Sequence, residues 1–157
     1  MRIDLMIDVK NDVETVFSWV ASPEKAMTWM TSVAGGEIID RKPGVVGTTF
    51  RERVEDAEGG VDMEGIITAF EPNRRIGFHL ESRVNRVDVD YRVQAIDGGT
   101  RLSYTADVRW RFPVNVIALL AGRTMKRKIA EQSSREFARL KELCEAPETI
   151  AQSRPPG

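Results

Sequence analysis

Two long runs of alternating residues, separated by a tight turn, constrain the fold of this chain more than any other feature. Residues 86–96 and 100–112 each alternate apolar with polar side chains, and Asp97-Gly98-Gly99 lies between them. Such a pair predicts a β-hairpin in which each strand has one buried and one wet face. At roughly ten residues the strands exceed the usual length, and long strands twist and curl. A curled sheet needs another element to fill its concave side.

Signals for further strands and for two short helices flank the hairpin. Residues 2–10 predict a strand, after which Asn11 or Asp12 caps one short helix. Ser22-Pro23 begins a second short helix, and Gly35-Gly36 is expected to close this helical pair. Four more strands are predicted, at 37–42, 48–55, 61–70 and 75–81. Their short connecting turns favour an antiparallel meander.

After Pro113 the pattern becomes helical and stays so to about Glu145. A helix in this position is expected to lie across the concave face of the sheet, and Gly122 predicts a bend in it. The order β-α-α-β-β-β-β-β-β-α indicates an α+β helix-grip fold, in which a strongly curved antiparallel sheet of about seven strands wraps around a long C-terminal helix. One stripe of that helix carries Met125, Ile129, Phe137, Leu140 and Cys144.

Composition limits the function that such a domain can have. Residues 1–145 are predicted to form one domain, and the tail 146–157, which lacks periodicity, is predicted to be disordered. Among 157 residues 41% are hydrophobic and the formal net charge is −1, so no positive field favours nucleic acid. Cys144 is the only cysteine, which excludes a thiolate metal cage. Without a signal-like start or a membrane-spanning run, a cytoplasmic protein is expected.

Several strings, taken in order, resemble the START-like superfamily, often called SRPBCC. VETVFSWVASPEKAMTWM (13–30) is similar to its first helical pair, and GIITAFEPNRRIGFHL (65–80) is similar to one of its hairpins. GGTRLSYTADV (98–108) resembles one of its strands, and FARLKELCE (137–145) resembles the end of its last helix. The superfamily includes polyketide cyclases, lipid-transfer domains and the birch-pollen allergen group. The resemblance implies a cavity between sheet and helix that holds an apolar small molecule.

The single histidine, His79, invites a catalytic interpretation that its strand does not favour. Phe78 and Leu80 lie on the apolar face, so His79 is expected to face solvent, near Glu81 and Arg75. With no second histidine and no cysteine cluster, no metal site is predicted.

The strand TTFRERVE (48–55) places a charge on the concave face in either register. Glu52 lies there if Phe50 and Val54 face inward, and otherwise Arg51 and Arg53 do. An inward Glu52 would have its pKa raised by desolvation and could act as an acid or base. The alternative is that the charge only marks a solvated strand end near the sheet edge.

The segment FPVNVIALLAGRTMKRK (112–128) is apolar on nearly all sides up to Ala121 and then basic. It could gate the cavity, form a homodimer, or touch a membrane with its basic residues on lipid phosphates. The favoured interpretation is plainer: a helix start buried by the two short helices, including Trp29 and Met30, followed by a solvated basic turn.

The lead hypothesis is binding or transport of an apolar small molecule, such as a lipid, an isoprenoid quinone or a polyketide-like aromatic. One alternative is a metal-free polyketide cyclase or dehydratase that uses Glu52, or less suitably Glu64, with a tyrosine hydroxyl. Another is an interaction module that resembles the Hsp90-activator or carbon monoxide dehydrogenase accessory members of the superfamily. No cofactor and no nucleic-acid partner are predicted. The predicted ligand-binding residues, whose aromatic members could instead form plain core, are Phe50, Glu52, Met63, Phe78, Tyr91, Tyr104, Val108, Trp110, Ile117, Leu120 and Met125.

Overall fold

A curved antiparallel sheet and a long helix make up most of the computed structural model, which describes residues 1–56 and 59–146. The strands are β1 (Arg2–Val9), β2 (Val33–Asp40), β3 (Thr49–Asp56), β4 (Gly59–Glu71), β5 (Arg75–Glu81), β6 (Asn85–Ile96) and β7 (Gly99–Trp110). The helices are α1 (Val13–Val20), α2 (Ala26–Trp29) and α3 (Val114–Glu145), with a 3-10 turn (Pro23–Lys25) before α2. The sheet order β1-β7-β6-β5-β4-β3-β2 and the final helix confirm the predicted α+β helix-grip fold.

The β6–β7 hairpin is the longest paired ladder of the sheet, running from Ile96↔Gly99 at the turn to Asn85↔Trp110 at the far end. Gly98 in the turn has a φ of 80°, a left-handed conformation that favours glycine. Tyr91 and Tyr104 face each other across the ladder with ring centroids 5.1 Å apart. The hairpin thus delivers two aromatic side chains to the middle of the concave face.

Only the second half of α3 packs into the concavity. Phe137, Leu140 and Cys144 are buried there, and the Lys141 amine donates to the Asp8 carbonyl at 2.7 Å. The helix is interrupted at Ala121, whose φ of −115° and ψ of 19° are not helical. The bend predicted at Gly122 is therefore present one residue earlier.

The predicted burial of the start of α3 is wrong. Leu119 and Leu120 are each 85% exposed and Ile117 is 57% exposed. The physical reason is the interruption at Ala121, because only the helix beyond it follows the concave face. Trp29, which was expected to cover the helix start, instead packs edge-on against Phe137, with ring centroids 5.5 Å apart.

The prediction for Gly35 and Gly36 is also wrong, because these residues lie within β2 rather than closing the helical pair. Their main chains pair with Arg53 and Glu52 of β3, with a bulge between Val33 and Gly35. Pairing with a neighbouring strand overrides the weak strand propensity of glycine, which sequence alone does not show.

Two further predictions concern the ends of the fold. Of the tail predicted to be disordered, 146–157, only Ala146 falls inside the described residues. The boundary of the single predicted domain, 1–145, therefore stays a prediction. Within the described ranges no helix is both long enough and apolar enough to cross a membrane.

Gly65 on β4 provides a test of the packing behind the sheet. It pairs with Phe50 on β3, and a Cβ at Gly65 would overlap the Phe50 ring. That ring is 1% exposed and packs edge-on against Phe78, so it has little room to move. We expect Gly65→Ala to lower the free energy of unfolding by about 1–3 kcal/mol in urea denaturation, because overpacking strains the core.

The matched control is Gly35→Ala, because a Cβ at Gly35 would meet nothing within 4 Å. We expect this variant to stay within about 0.5 kcal/mol of the wild type. Equal responses of the two variants would contradict a rigid Phe50 ring.

Candidate ligand cavity

A cavity of about 350 Å³ lies between the concave face of the sheet and the second half of α3. Alternate residues of the strands form most of its wall, as the period of two in a strand requires. The short helices close one side, through Val20, Ala26 and Trp29. The cavity is therefore a consequence of the curvature of the sheet and of a helix that fills only part of the concavity.

The residues predicted from the strands all lie in this wall: Phe50, Glu52, Met63, Phe78, Tyr91, Tyr104, Val108 and Trp110. Their aromatic members form a continuous series, with Phe78 5.6 Å from Phe50 and 6.1 Å from Tyr91 between ring centroids. That these side chains bind a ligand stays a prediction.

The residues predicted from the start of α3 do not lie in the wall. Ile117, Leu120 and Met125 are absent from the lining. Ile117 and Leu120 precede the interruption at Ala121, and Met125 lies one turn before Ile129, the first residue of α3 in the wall. The helix contributes a set one turn or more further along instead: Ile129, Gln132, Ser133, Glu136 and Phe137. These follow one another at helical spacing from Ile129, and that spacing is the signal that could have identified them.

Glu52 is the most unusual residue of the wall. The register that the sequence left open places Phe50, Glu52 and Val54 toward the cavity. Glu52 is 8% exposed, and it forms no hydrogen bond or salt bridge within residues 1–56 and 59–146. Burial raises the pKa of its carboxyl to about 7. Near neutral pH this group therefore exchanges readily between acid and carboxylate.

The other charged residues near Glu52 point out of the cavity. Arg51 lies 3.8 Å from the Glu37 carboxylate and 3.6 Å from that of Glu64. Arg53 pairs with Asp62 at 3.1 Å. Glu64 is thus a surface residue rather than a second cavity acid, since it sits on the opposite face of β4 from Met63.

The sequence pattern does not predict a second buried carboxyl, Glu136 of α3. It is 4% exposed and accepts hydrogen bonds from the Ser32 backbone N–H at 3.1 Å and the Ser32 hydroxyl at 2.9 Å. The Thr31 hydroxyl and the Gln132 amide donate to the same oxygen. Glu136 therefore fastens α3 to the connection between α2 and β2. The position of Glu136 next to Phe137, on the apolar stripe of the helix, is the sequence feature that could have predicted its burial.

The two tyrosines bring hydroxyl groups into an apolar setting. Tyr91 is 5% exposed, and burial raises its pKa, with Tyr104 and Glu52 adding to the effect. Burial likewise raises the pKa of Tyr104. In the described part of the chain neither hydroxyl has a hydrogen-bond partner, although buried tyrosines normally find one. Both are available to a bound molecule.

The tryptophans add unpaired donors. The indole N–H groups of Trp29 and Trp110 are buried and have no acceptor among the described residues. Both residues line the cavity. A buried donor without a partner lowers the free energy of unfolding, so such groups are rare in folded proteins.

The opening of the cavity is marked by the wall residues that keep partial exposure. Val84, Asn85, Trp110 and Ile129 are only partly buried, whereas the aromatic residues around Phe50 are fully buried. Asn85 and Trp110 pair at the open end of the β6–β7 ladder. Glu55 and Gly59, the exposed residues of the wall, lie in the β3–β4 hairpin at the same end of the sheet, so solvent reaches the cavity there.

His79 lies on the other face of the sheet. Its Nδ1 is 2.7 Å from an Asp88 oxygen and its Nε2 is 3.1 Å from a Glu81 oxygen, and these carboxylates raise its pKa. Arg75, the other expected neighbour, donates to Asp90 at 2.7 Å instead, and Asp90 pairs with Gly77, between Arg75 and His79 on β5. No group of three or more metal-ligating side chains occurs among the residues that the structure describes.

A curved sheet closed by a helix over a largely apolar cavity defines a helix-grip domain of the kind that accommodates small molecules. The model of the "polyketide cyclase / dehydrase and lipid transport" family matches residues 2–145, and the chain belongs to that family. The START-like assignment is thereby confirmed.

An uncharacterized protein of Mycobacterium tuberculosis is 30% identical over 103 residues, which span 63% of this chain and 60% of that protein. A crystal structure from Thermus thermophilus superposes with a TM-score of 0.79 at 16% identity, covering 98% of this chain and 100% of that chain. The Zhui aromatase/cyclase from Streptomyces sp. R1128 gives a TM-score of 0.77 at 15% identity, with 98% of both chains covered. At such identities the two structural matches show the fold alone.

Glu52 predicts a pH-dependent stability. Its carboxyl has a pKa of about 7 in the folded protein and an ordinary value of 4.5 when solvated. The pKa of this carboxyl is higher in the folded protein than in the unfolded one. The contribution of Glu52 to the free energy of unfolding is therefore fully present below about pH 4.5 and is lost as the pH rises through about 7. Relative to Glu52→Gln, the wild type should lose up to about 3 kcal/mol of unfolding free energy between these limits.

Urea denaturation at a series of pH values measures this difference. Glu64→Gln is the matched control, because Glu64 is an exposed glutamate on the adjacent strand. We expect its curve to parallel the wild type. Parallel curves for Glu52→Gln and the wild type would contradict a desolvated Glu52.

Proposed function

We propose that this protein binds a neutral, apolar small molecule bearing hydrogen-bond acceptors and shelters it from water in the cavity. Lipids, isoprenoid quinones and polyketide-like aromatics include molecules of this kind. One observation carries the proposal: the wall is largely apolar and aromatic, yet the indole N–H groups of Trp29 and Trp110 and the carboxyl of Glu52 lack hydrogen-bond partners within the described residues. A convergent set of such groups in a concave apolar site is typical of ligand recognition.

The apolar wall supplies the affinity. The rings of Tyr104 and Phe137 lie 5.0 Å apart, next to the series formed by Phe50, Phe78 and Tyr91. A ligand that buries about 300 Å² of apolar surface against this wall gains about 7 kcal/mol before the costs of association. The volume of about 350 Å³ suits a compact ring system or one segment of a longer chain.

The polar groups supply the orientation. Trp29 and Trp110 each offer an indole N–H, and Glu52 offers a proton when its carboxyl is neutral. Carbonyl or ether oxygens on the ligand would accept these hydrogen bonds. An anionic ligand is disfavoured, because the carboxyls of Glu52 and Glu136 both line the cavity.

A search for a bound ligand tests the proposal. Native mass spectrometry of freshly purified protein should show a co-purifying small molecule, and thermal shift against a panel of lipids, quinones and aromatic polyketides should show stabilisation. Repeated absence of both would count against the proposal.

A cavity-filling variant makes the test specific. Ala106 is 2% exposed and lies in the wall on β7, so Ala106→Phe places a ring in the cavity. We expect loss of the co-purifying molecule and binding weaker by about tenfold or more. Ala138→Phe on an exposed face of α3 is the control for volume and should bind as the wild type does. Undiminished binding by a folded Ala106→Phe variant would place the ligand elsewhere.

Glu52 favours one second candidate, a metal-free cyclase or dehydratase. A carboxyl with a pKa of about 7 in a cavity is suited to act as a general base at neutral pH. In this proposal Glu52 removes a proton next to a substrate carbonyl, and the Tyr91 or Tyr104 hydroxyl donates to the enolate oxygen that forms. Burial raises the pKa of Tyr91 the most, and the nearby Tyr104 and Glu52 raise it further.

Deuterium exchange into an enolisable aryl diketone, followed by NMR, tests the enzyme candidate. The exchange rate should rise with pH through about 7, because the base must be ionised. Glu52→Gln should be slower by about a hundredfold while still binding the diketone, and Glu64→Gln should match the wild type. Exchange at the wild-type rate in Glu52→Gln would leave binding as the only supported function.

A further inference from the structure

The first two turns of α3 form an apolar surface that nothing in the described chain covers. Leu119 and Leu120 are each 85% exposed, Phe112 is 79% exposed, and Val116 and Ile117 are about half exposed. The other large exposed apolar side chains lie on the sheet, in a loop and on α2, as on most proteins. A contiguous patch at one helix end is a different feature, because such patches mark interaction surfaces. We call Phe112, Val116, Ile117, Leu119 and Leu120 the apolar tip.

A basic cluster follows the apolar tip directly. Arg123, Lys126, Arg127 and Lys128 are exposed, and residues 112–128 contain no acidic residue in a chain whose net charge is −1. Arg127 reaches only Glu131 of its own helix, at 3.9 Å, and the other three form no salt bridge in the described ranges. Lys126 lies close enough to Asp4 to contribute to lowering its pKa, after Arg2 and Thr105. The cluster is therefore largely free to meet an external anion.

The interruption at Ala121 separates these two surfaces from the anchored part of the helix. The hydrogen bonds that join α3 to other elements come from Glu136, Arg139, Lys141, Cys144 and Glu145. The helix before Gln132 makes no such side-chain bond among the described residues. The tip can thus meet a surface without disturbing the packing of Phe137 and Leu140.

The tip also stands beside the cavity opening. It begins two residues after Trp110, a wall residue at the open end, and the basic cluster ends just before Ile129, another wall residue. A surface that receives the tip therefore also meets the opening of the cavity.

We propose that the apolar tip inserts into the interface of an anionic lipid bilayer while the basic cluster binds the lipid phosphates. The juxtaposition of exposed apolar side chains and unpaired cations is the chemistry of interfacial membrane binding. In a two-fold dimer joined tip to tip, the second copy would present the same basic cluster, so charge complementarity favours anionic lipid over that mode of self-association. Docking holds the opening at the lipid surface, and the transfer of an apolar ligand there rests on the function proposed above.

Vesicle co-sedimentation of the full chain tests this proposal. We expect binding to vesicles of phosphatidylcholine with phosphatidylglycerol, weaker binding to phosphatidylcholine alone, and weakening by salt. Leu119→Ser/Leu120→Ser should bind more weakly by about tenfold or more, and Lys126→Gln/Lys128→Gln should lose most of the preference for anionic vesicles. Because all four side chains are exposed, circular dichroism should show both variants folded.

Matched controls remove similar groups elsewhere. Met6→Ser/Met27→Ser deletes two exposed apolar side chains, and Lys10→Gln/Arg74→Gln deletes two exposed cations at the opposite end of the sheet from Trp110. Both should bind vesicles as the wild type does. Failure of the wild type to sediment with anionic vesicles, or wild-type binding by the two tip and cluster variants, would overturn the proposal.

Self-association is measured in the same series. A wild-type dimer that dissociates in Leu119→Ser/Leu120→Ser, together with absent vesicle binding, would overturn lipid docking in favour of an interface between copies. Two variants separate this proposal from the cavity function. Ala106→Phe should still bind vesicles although its cavity is filled, and Leu119→Ser/Leu120→Ser should still bind soluble ligands. Loss of vesicle binding in a folded Ala106→Phe variant would overturn docking through the tip.

Discussion

The fold depends on how the second half of α3 is held in the concave face of the sheet. Phe137 and Leu140 supply the buried apolar surface, and Glu136 fixes the position of the helix through hydrogen bonds to the Ser32 backbone and side chain. Fixed there, the helix covers only part of the concavity, because the curved strands enclose more volume than it fills. The cavity is the part of the concavity that the helix leaves unfilled. Substitutions that shift α3 would change the cavity and the stability together.

Several polar groups inside the cavity lower the stability of the folded protein. A hydrophobic residue at Glu52 would avoid the desolvation that raises its pKa to about 7, and unpaired indole N–H groups at Trp29 and Trp110 add further costs. Buried polar groups without partners are rare in folded proteins, and they concentrate at functional sites. Their convergence on one apolar cavity is therefore the physical argument for a bound molecule, and it is independent of the family to which the chain belongs.

Sequence predicted what depends on local periodicity and missed what depends on packing. The period of two assigned the inward faces of β6 and β7, and it reduced the question at Glu52 to two registers. Pairing with Met63 and Gly36 on the neighbouring strands then selected one of them. The start of α3 has the apolar pattern of a buried helix, and nothing local indicates that the interruption at Ala121 leaves it exposed. Glu136 was missed because a single charge on an apolar stripe gives no sign of its distant partners.

The distribution of tryptophan gives the cavity its own optical probes. The chain has three tryptophans, Trp19, Trp29 and Trp110, and all three line the cavity wall. Indole emission depends on the polarity around the ring and on quenching by neighbouring groups. All tryptophan fluorescence from this protein therefore comes from residues that line the same cavity. The arrival of a molecule there would be visible as a change in intrinsic fluorescence, without a label and without background from indoles elsewhere in the molecule.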